Sequence, residues 1–403
     1  MVELVPTQRL YFSDATQRTC TATVLAVTEF HQRPALVLSA TVFYPEGGGQ
    51  PADFGTLGAS QVIDVQEHND SIYHILAEPS SLQVGDEVTG TIDWERRFDH
   101  MQQHTGQHTL SGAFYRLWNI PTVSWHLGKE NVTIDIAKVG LSEAEIVQVE
   151  LLANQIIWQN VAVTAQFYSR AELEQLDIRK GTDRDGDIRI VSIGDFDRIG
   201  CGGTHVAATG QVGVIGIRRW ETRSQQTRIE FVCGQRALAD YTVKTQITTV
   251  ASTTLSAKLE DIPTQLLRLH EQSETARHEI TDLRVRLVAY EAKELLEQAS
   301  ATNMIVCARR DDRDANELRL LAQGIVEGGG VALLGGVVAG KAQLVFACAK
   351  TAPHDLNQLL KQSLVLLGGK GGGQRFLAQG AGPEVLHIDA ALEMASQSLH
   401  KAE

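Results

Sequence analysis

The sequence lacks the apolar run of about 20 residues that a membrane helix requires. Its best candidate, Val331 to Gly340, is short and broken by glycine. No secretory leader is expected, since Met1 to Phe12 carries Glu3 and no apolar core. Positive charge is in deficit: 36 Lys and Arg stand against 49 Asp and Glu, a net charge of −13. That excludes general coating of nucleic acid but leaves room for a local basic surface against a phosphate backbone. Two stretches offer such a surface or, equally, a solvated face: Arg218, Arg219, Arg223 and Arg228, and Lys361, Lys370 and Arg375. Cysteine is sparse. The five, at positions 20, 201, 233, 307 and 348, make no closely spaced framework, so a reducing, cytoplasmic setting is expected rather than a disulfide scaffold.

The chain has 403 residues, 43% hydrophobic and 21% charged, which suits a globular protein of several domains. Residues 1–95 read as short strands between Gly and Asp clusters, as in a small β-barrel: Thr21 to Val27, Pro34 to Ser39 and Val88 to Trp94 are β-rich. At about 97 the pattern changes. Phe98 to Trp118 has helical spacing and no proline, and Val132 to Ile136 alternates like a strand. Ser142 to Asn160 is a second helix, with Ser142 as N-cap and Glu145 completing a capping-box signature. Strands follow at 161–168, 187–193, 212–220 and 226–232, making 96–235 an α+β domain. Residues 236–300 look helical, with Pro263 near a helix start and an apolar stripe from Leu266 to Tyr290. That stripe fits a helical hairpin, a contact with a second subunit, or a single amphipathic helix lying on a domain. Residues 301–403 alternate buried strands and helices, an α/β pattern.

His104 and His108 stand at i and i+4, so on a helix both imidazoles face one way and can reach one cation. Alone such a pair is more often a polar helix face. Cys201-Gly-Gly-Thr-His205 repeats the four-residue spacing with a thiolate and an imidazole, beside glycines that allow a tight turn. Nitrogen and sulfur donors together favour Zn2+ over magnesium or calcium. Four protein ligands usually mark a structural zinc, whereas catalytic zinc keeps a place for water. The site is therefore open at this point to a loose ligand, to five-coordination, or to a zinc that only positions substrate.

These residues resemble the signature of the editing domain shared by alanyl-tRNA synthetases and the freestanding AlaX proteins. Three further motifs fall in the family's order. Phe43-Tyr-Pro-Glu-Gly-Gly-Gly-Gln50-Pro-Ala-Asp53-Phe-Gly55 is similar to its glycine-rich motif. Gly213-Val-Ile and Arg228-Ile-Glu-Phe-Val-Cys-Gly follow the cysteine turn. Gly368-Gly-Lys-Gly-Gly-Gly373 and the residues to Gly380 resemble the DHHA1 domain, as in the long AlaX form. Two departures are small: Gly200 stands where the family often has proline, and Cys233 where a small residue is common.

The resemblance implies one Zn2+ on His104, His108, Cys201 and His205, and hydrolysis of serine, and also glycine, wrongly esterified to alanine tRNA. Gly202 and Gly203 are expected to offer backbone N–H groups to the ester carbonyl, or only to shape the turn. Ser124 and His126 fall where the pocket-lining segment should run and are candidates to bond the serine hydroxyl; the alternative is a strand cap and a packed polar residue. The loop Gly47, Gly48, Gly49 and Gln50 is expected near the tRNA acceptor end, or as a flexible turn. Lys370 in a glycine loop, and Arg375, are expected to contact tRNA; no Ser or Thr follows Lys370 in the frame of a P-loop. A homodimer through the helical and C-terminal regions is expected. Only about 95 residues precede the editing helix, so no aminoacylation domain is expected, and no Asp-His-His tripeptide supports a DHH phosphoesterase. The competing function is a non-catalytic tRNA-binding protein with a structural zinc.

Overall fold

The computed structural model describes residues 5–181, 186–299 and 303–401. The fold is mixed α+β and divides into two compact units, Met1–Val250 and Ala251–Glu403. The boundary expected at 300/301 lies outside the described residues. No helix among the described residues is long and apolar enough to cross a membrane.

In the first unit, strands Thr19–Phe30, Arg33–Leu38, Gly55–Leu57, Ser60–His68, Ser71–Leu76 and Glu87–Ile92 close into a barrel. Alternation sends one set of side chains inward: Val24, Leu36, Leu38, Val62, Val65, Ile72 and Val88 form one buried cluster. Closure leaves no sheet edge open. The barrel runs directly into the helix Trp94–Trp118, where the Asp93 side chain accepts the Arg96 N–H as N-cap. The helix stops at Asn119, which adopts the left-handed conformation (φ 53°) and returns its N–H to the carbonyls of Phe114 and Tyr115.

That helix is unusual in composition. From His100 to Phe114 every residue is buried, yet many are Gln, His, Thr or Ser. A polar helix at the centre of a domain survives only where its polar groups find partners. Gln103 bonds both the N–H and the carbonyl of Cys233, Gln102 donates to the Gln211 carbonyl, and Gln107 donates to Ser111 Oγ. An antiparallel sheet in the order Ile215–Arg223, Gln226–Cys233, Val132–Ile136, Thr122–Leu127 packs against it. The helix Glu143–Trp158 joins the same core, and the Ser142–Glu145 capping box forms as its sequence predicts. A second sheet pairs Val163–Tyr168, Ile188–Ile193 and Asp197–Gly200. Cys233 packs where Gly106 leaves space, and all five cysteines are unpaired.

The helix Gly234–Leu255 crosses the division between the units, and Ile262–Ala299 opens the second. Leu266, Leu269, Ile280, Leu283, Leu287 and Tyr290 of its stripe are exposed, whereas Val288, Ala292, Leu295 and Leu296 pack into the second unit's core. There a mixed sheet has the order Ile305–Arg309, Val331–Val338, Lys341–Ala347, Leu377–Gly382, Lys370–Gln374. Only the first pair is parallel. Leu333, Leu344 and Phe346 face the helices Leu356–Leu366 and Ile388–His400; Ala332, Leu334 and Val345 face Ala315–Glu327 and the long helix. Covering both faces explains why the central strands Val331–Val338 and Lys341–Ala347 are largely apolar. One expectation is corrected here. The glycines after Gly369 are not a loop but the edge strand Lys370–Gln374. A Cβ at Gly371 would lie 2.4 Å from Gly380 Cα, and one at Gly373 would lie 2.3 Å from the Leu377 carbonyl, so close strand packing demands glycine at both.

Candidate metal centre

The central helix carries His104 and His108 one turn apart, and the strand Asp197–Gly200 delivers the other pair. Cys201 still pairs with that sheet, its N–H donating to the Arg189 carbonyl at 3.1 Å. The chain then turns through Gly202 and Gly203 onto the helix. The ligand atoms of His104, His108, Cys201 and His205 all lie within 4.8 Å of one another. Cys201 Sγ stands 3.4 Å from His104 Nε2 and 3.4 Å from His205 Nε2. Sulfur at about 2.3 Å and nitrogen at about 2.0 Å from a tetrahedral zinc are themselves about 3.5 Å apart. The donor set and its spacing fit zinc. His108 Nδ1 is buried with no hydrogen-bond partner among the described residues.

Electrostatics prepare the same site. Burial drives His104 down to about 3, with the Arg189 cation adding to the effect, and drives His108 and His205 well below the usual histidine value. The three imidazoles are therefore neutral and keep lone pairs for a cation. Burial pushes the Cys201 thiol up, opposed by the Gly203 N–H and by Arg189. A divalent cation in contact would favour the thiolate.

Gly203 meets a steric requirement. A Cβ there would lie 2.2 Å from His104 Cε1 and 2.5 Å from Nδ1, whereas one at Gly202 would meet nothing within 4 Å. Gly203→Ala is expected to displace the ring or the turn and cut any metal-dependent rate about 100-fold. Gly202→Ala is expected to leave zinc content and rate near wild type. Parallel metal analysis and rate measurements check both. The Gly203 N–H points at Cys201 Sγ, 3.4 Å away, so it supports the sulfur and shapes the turn, the second of the two roles the sequence leaves open.

The centre lies at a cavity of about 980 Å³, lined by His104, His108 and Cys201. Gly47, Gly48, Ser124, Gly202 and Gly203 also line it. Ser124 donates its hydroxyl to Asp135 Oδ2, which Arg228 also holds bidentately. Three sequence candidates lie elsewhere. His126 is exposed and outside the cavity lining. Gly49 lies against Trp125, where a Cβ would come within 2.8 Å of the indole. Gln50 is fully buried and bonds His104 and Thr204, so its amide is not free for a substrate. In the second unit Lys370 is exposed, while Arg375 donates to the carbonyls of His354 and Pro353. The Arg218–Arg228 stretch is neutralised locally by Glu230, Asp240, Glu221 and Asp135.

Sequence reading missed Arg189. It is 8% exposed, lines the cavity, and donates to the carbonyls of Cys201 and Gly203, bracing the metal turn. Its Nε has no hydrogen-bond partner among the described residues, and its guanidinium lies 5.1 Å from the Phe12 ring centroid. No motif announces it, because an arginine inside the run Ile188-Arg-Ile-Val looks like an ordinary strand residue.

The profile of tRNA synthetases class II (A) matches residues 12–96. That of the threonyl and alanyl tRNA synthetase second additional domain matches 188–230, the stretch holding Cys201 and His205. The alanyl-tRNA editing protein AlaX-L of Pyrococcus horikoshii is 31% identical over 96% of this chain and 98% of its own length. The chain belongs to the AlaX family. Alanine–tRNA ligases align as well: that of Pyrococcus abyssi is 31% identical over 97% of this chain, and that of Methanoregula boonei 33% over 98%. The chain spans 43% and 44% of those two ligases. Among solved structures, the C-Ala domain from Aquifex aeolicus alanyl-tRNA synthetase is 21% identical over 22% of this chain and 85% of that domain, with a TM-score of 0.22.

Proposed function

We propose that this chain is a trans-editing deacylase. It hydrolyses the ester joining serine, and also glycine, to tRNA(Ala), and has no aminoacylation activity of its own. The observation that carries this reading is that three of four converging zinc-type ligands face a cavity large enough for an aminoacyl-adenosine end. A purely structural zinc needs no such opening. A synthetase pocket rejects an added hydroxyl poorly, so a second site that recognises serine is useful.

His104, His108, Cys201 and His205 would hold one Zn2+, which when bound supplies a Lewis acid for the ester carbonyl or an acidified water. Arg189 keeps the Cys201–Gly203 turn in place and adds positive potential to the cavity. Ser124 keeps acceptor lone pairs for a substrate hydroxyl while donating to Asp135. We assign residues 1–95 to the glycine-motif barrel, 96–235 to editing, 236–300 to a helical hairpin and 301–403 to a DHHA1 domain. In the last, Lys370 and Arg375 meet tRNA. A cytoplasmic homodimer through the exposed helical stripe and the C-terminal domain completes the assignment.

The test is release of amino acid from Ser-, Gly- and Ala-charged tRNA(Ala), with and without a chelator. Serine and glycine should be released and alanine retained, with all release stopped by chelation. Binding of tRNA with no release of any amino acid would instead make the protein a non-catalytic tRNA binder with a structural zinc.

A further inference from the structure

The Gly47–Gln50 segment does more than pass the cavity wall. Gln50 Oε1 accepts the Thr204 N–H at 3.1 Å, and Gln50 Nε2 donates to Thr204 Oγ1 at 2.8 Å. A backbone N–H can only donate, so Oε1 is the carboxamide oxygen. The same oxygen lies 2.8 Å from His104 Nδ1, which must therefore carry its hydrogen. That leaves the His104 Nε2 lone pair facing Cys201 Sγ at 3.4 Å. One amide thus sets the tautomer of a ligand on the helix and ties down the turn that brings the other two.

The surroundings make this placement firm. Gly49 takes φ +91° and lies flush on Trp125, which stacks on His104 with ring centroids 4.4 Å apart. Three residues past Gln50, Asp53 pairs with fully buried Arg97, which stands two helical turns before His104 on the same face. The glycine motif therefore grips the ligand helix at two points, with Gln50 at the metal end.

We propose that Gln50 is a positioning residue of the metal centre, orienting His104 and the Cys201–His205 turn from the barrel. The proposal rests on the zinc reading above and requires no contact between Gln50 and substrate. Its test is zinc affinity of the full-length chain, by competition with a chromophoric chelator. Gln50→Leu, which keeps the bulk and removes the amide, should weaken zinc by about 10–100-fold. Gln50→Glu, which keeps an acceptor for His104 Nδ1–H, should restore affinity to wild type or above. Should Gln50→Leu fail to fold, Thr204→Val, which removes the hydroxyl acceptor of the Gln50 amide and keeps the Thr204 N–H bond, should show a smaller loss in the same assay.

Equal zinc affinity in wild type and Gln50→Leu, or in wild type and Thr204→Val, would overturn the proposal. Equal loss in the Leu and Glu variants would also overturn it, since packing alone would then be at work. A wild-type chain that binds no zinc would bring down the metal centre itself, and this inference with it.

Discussion

His108→Ala is expected to lower deacylation of Ser-tRNA(Ala) by about 1,000-fold or more while the protein stays folded. Alanine is the best helix former, and position 108 lies well inside the helix Trp94–Trp118. The variant removes a buried imidazole whose Nδ1 has no hydrogen-bond partner among the described residues. The fold therefore loses packing but no hydrogen bond at that atom. What it loses chemically is one of four donors for a Lewis acid worth several kcal/mol in the transition state, which corresponds to about three powers of ten in rate. Cys201→Ala should behave alike, because the sulfur is the soft donor that favours zinc. Single-turnover rates, with circular dichroism as the control for folding, check both. A loss below tenfold in either folded variant would mean the cluster is not the reaction centre.

Arg97→Met is expected to destabilise the first unit by about 3–5 kcal/mol, the range for stripping one partner from a buried ion pair. Arg97 and Asp53 are both fully buried and bidentately paired, and the same guanidinium also donates to the carbonyls of Ala15 and Val42. Asp53 further accepts the Tyr44 N–H, so removing the arginine leaves a carboxylate in the dark with one donor. Urea denaturation reads the loss as a lower midpoint. The double variant Arg97→Met/Asp53→Leu should recover part of it, because two apolar groups leave no buried charge. A single variant within 1 kcal/mol of wild type, an order-of-magnitude threshold for a non-structural pair, would show that the pair does not hold the barrel to the helix.

The metal cluster was legible because its chemistry is local. Two pairs of soft and borderline donors at four-residue spacing constrain both the helix and the turn, whatever lies between. Elements with strong period or caps were legible as well: Ser142 with Glu145 forms its box, and the Val132–Ile136 alternation lies in the sheet. What failed was glycine. The Gly371 to Gly373 run reads as a phosphate-binding loop, yet in the fold it permits two strands to approach closely. Gly203 reads either as a source of N–H groups or as part of a turn, and nothing in the sequence shows that it makes way for the His104 ring. A glycine in sequence states only that a side chain is absent, and the reason for the absence is a tertiary neighbour. Gln50 and Arg189 were misread or missed for the same reason: their partners, Thr204 and the Cys201–Gly203 carbonyls, are distant in sequence or reached only through the side chain.

Zinc K-edge X-ray absorption on the purified chain tests the central claim most directly. The account predicts one sulfur at about 2.3 Å and three nitrogens at about 2.0–2.1 Å, with the sulfur contribution lost in Cys201→Ala. A first shell without sulfur in the wild-type protein, or one unchanged by that substitution, would contradict it.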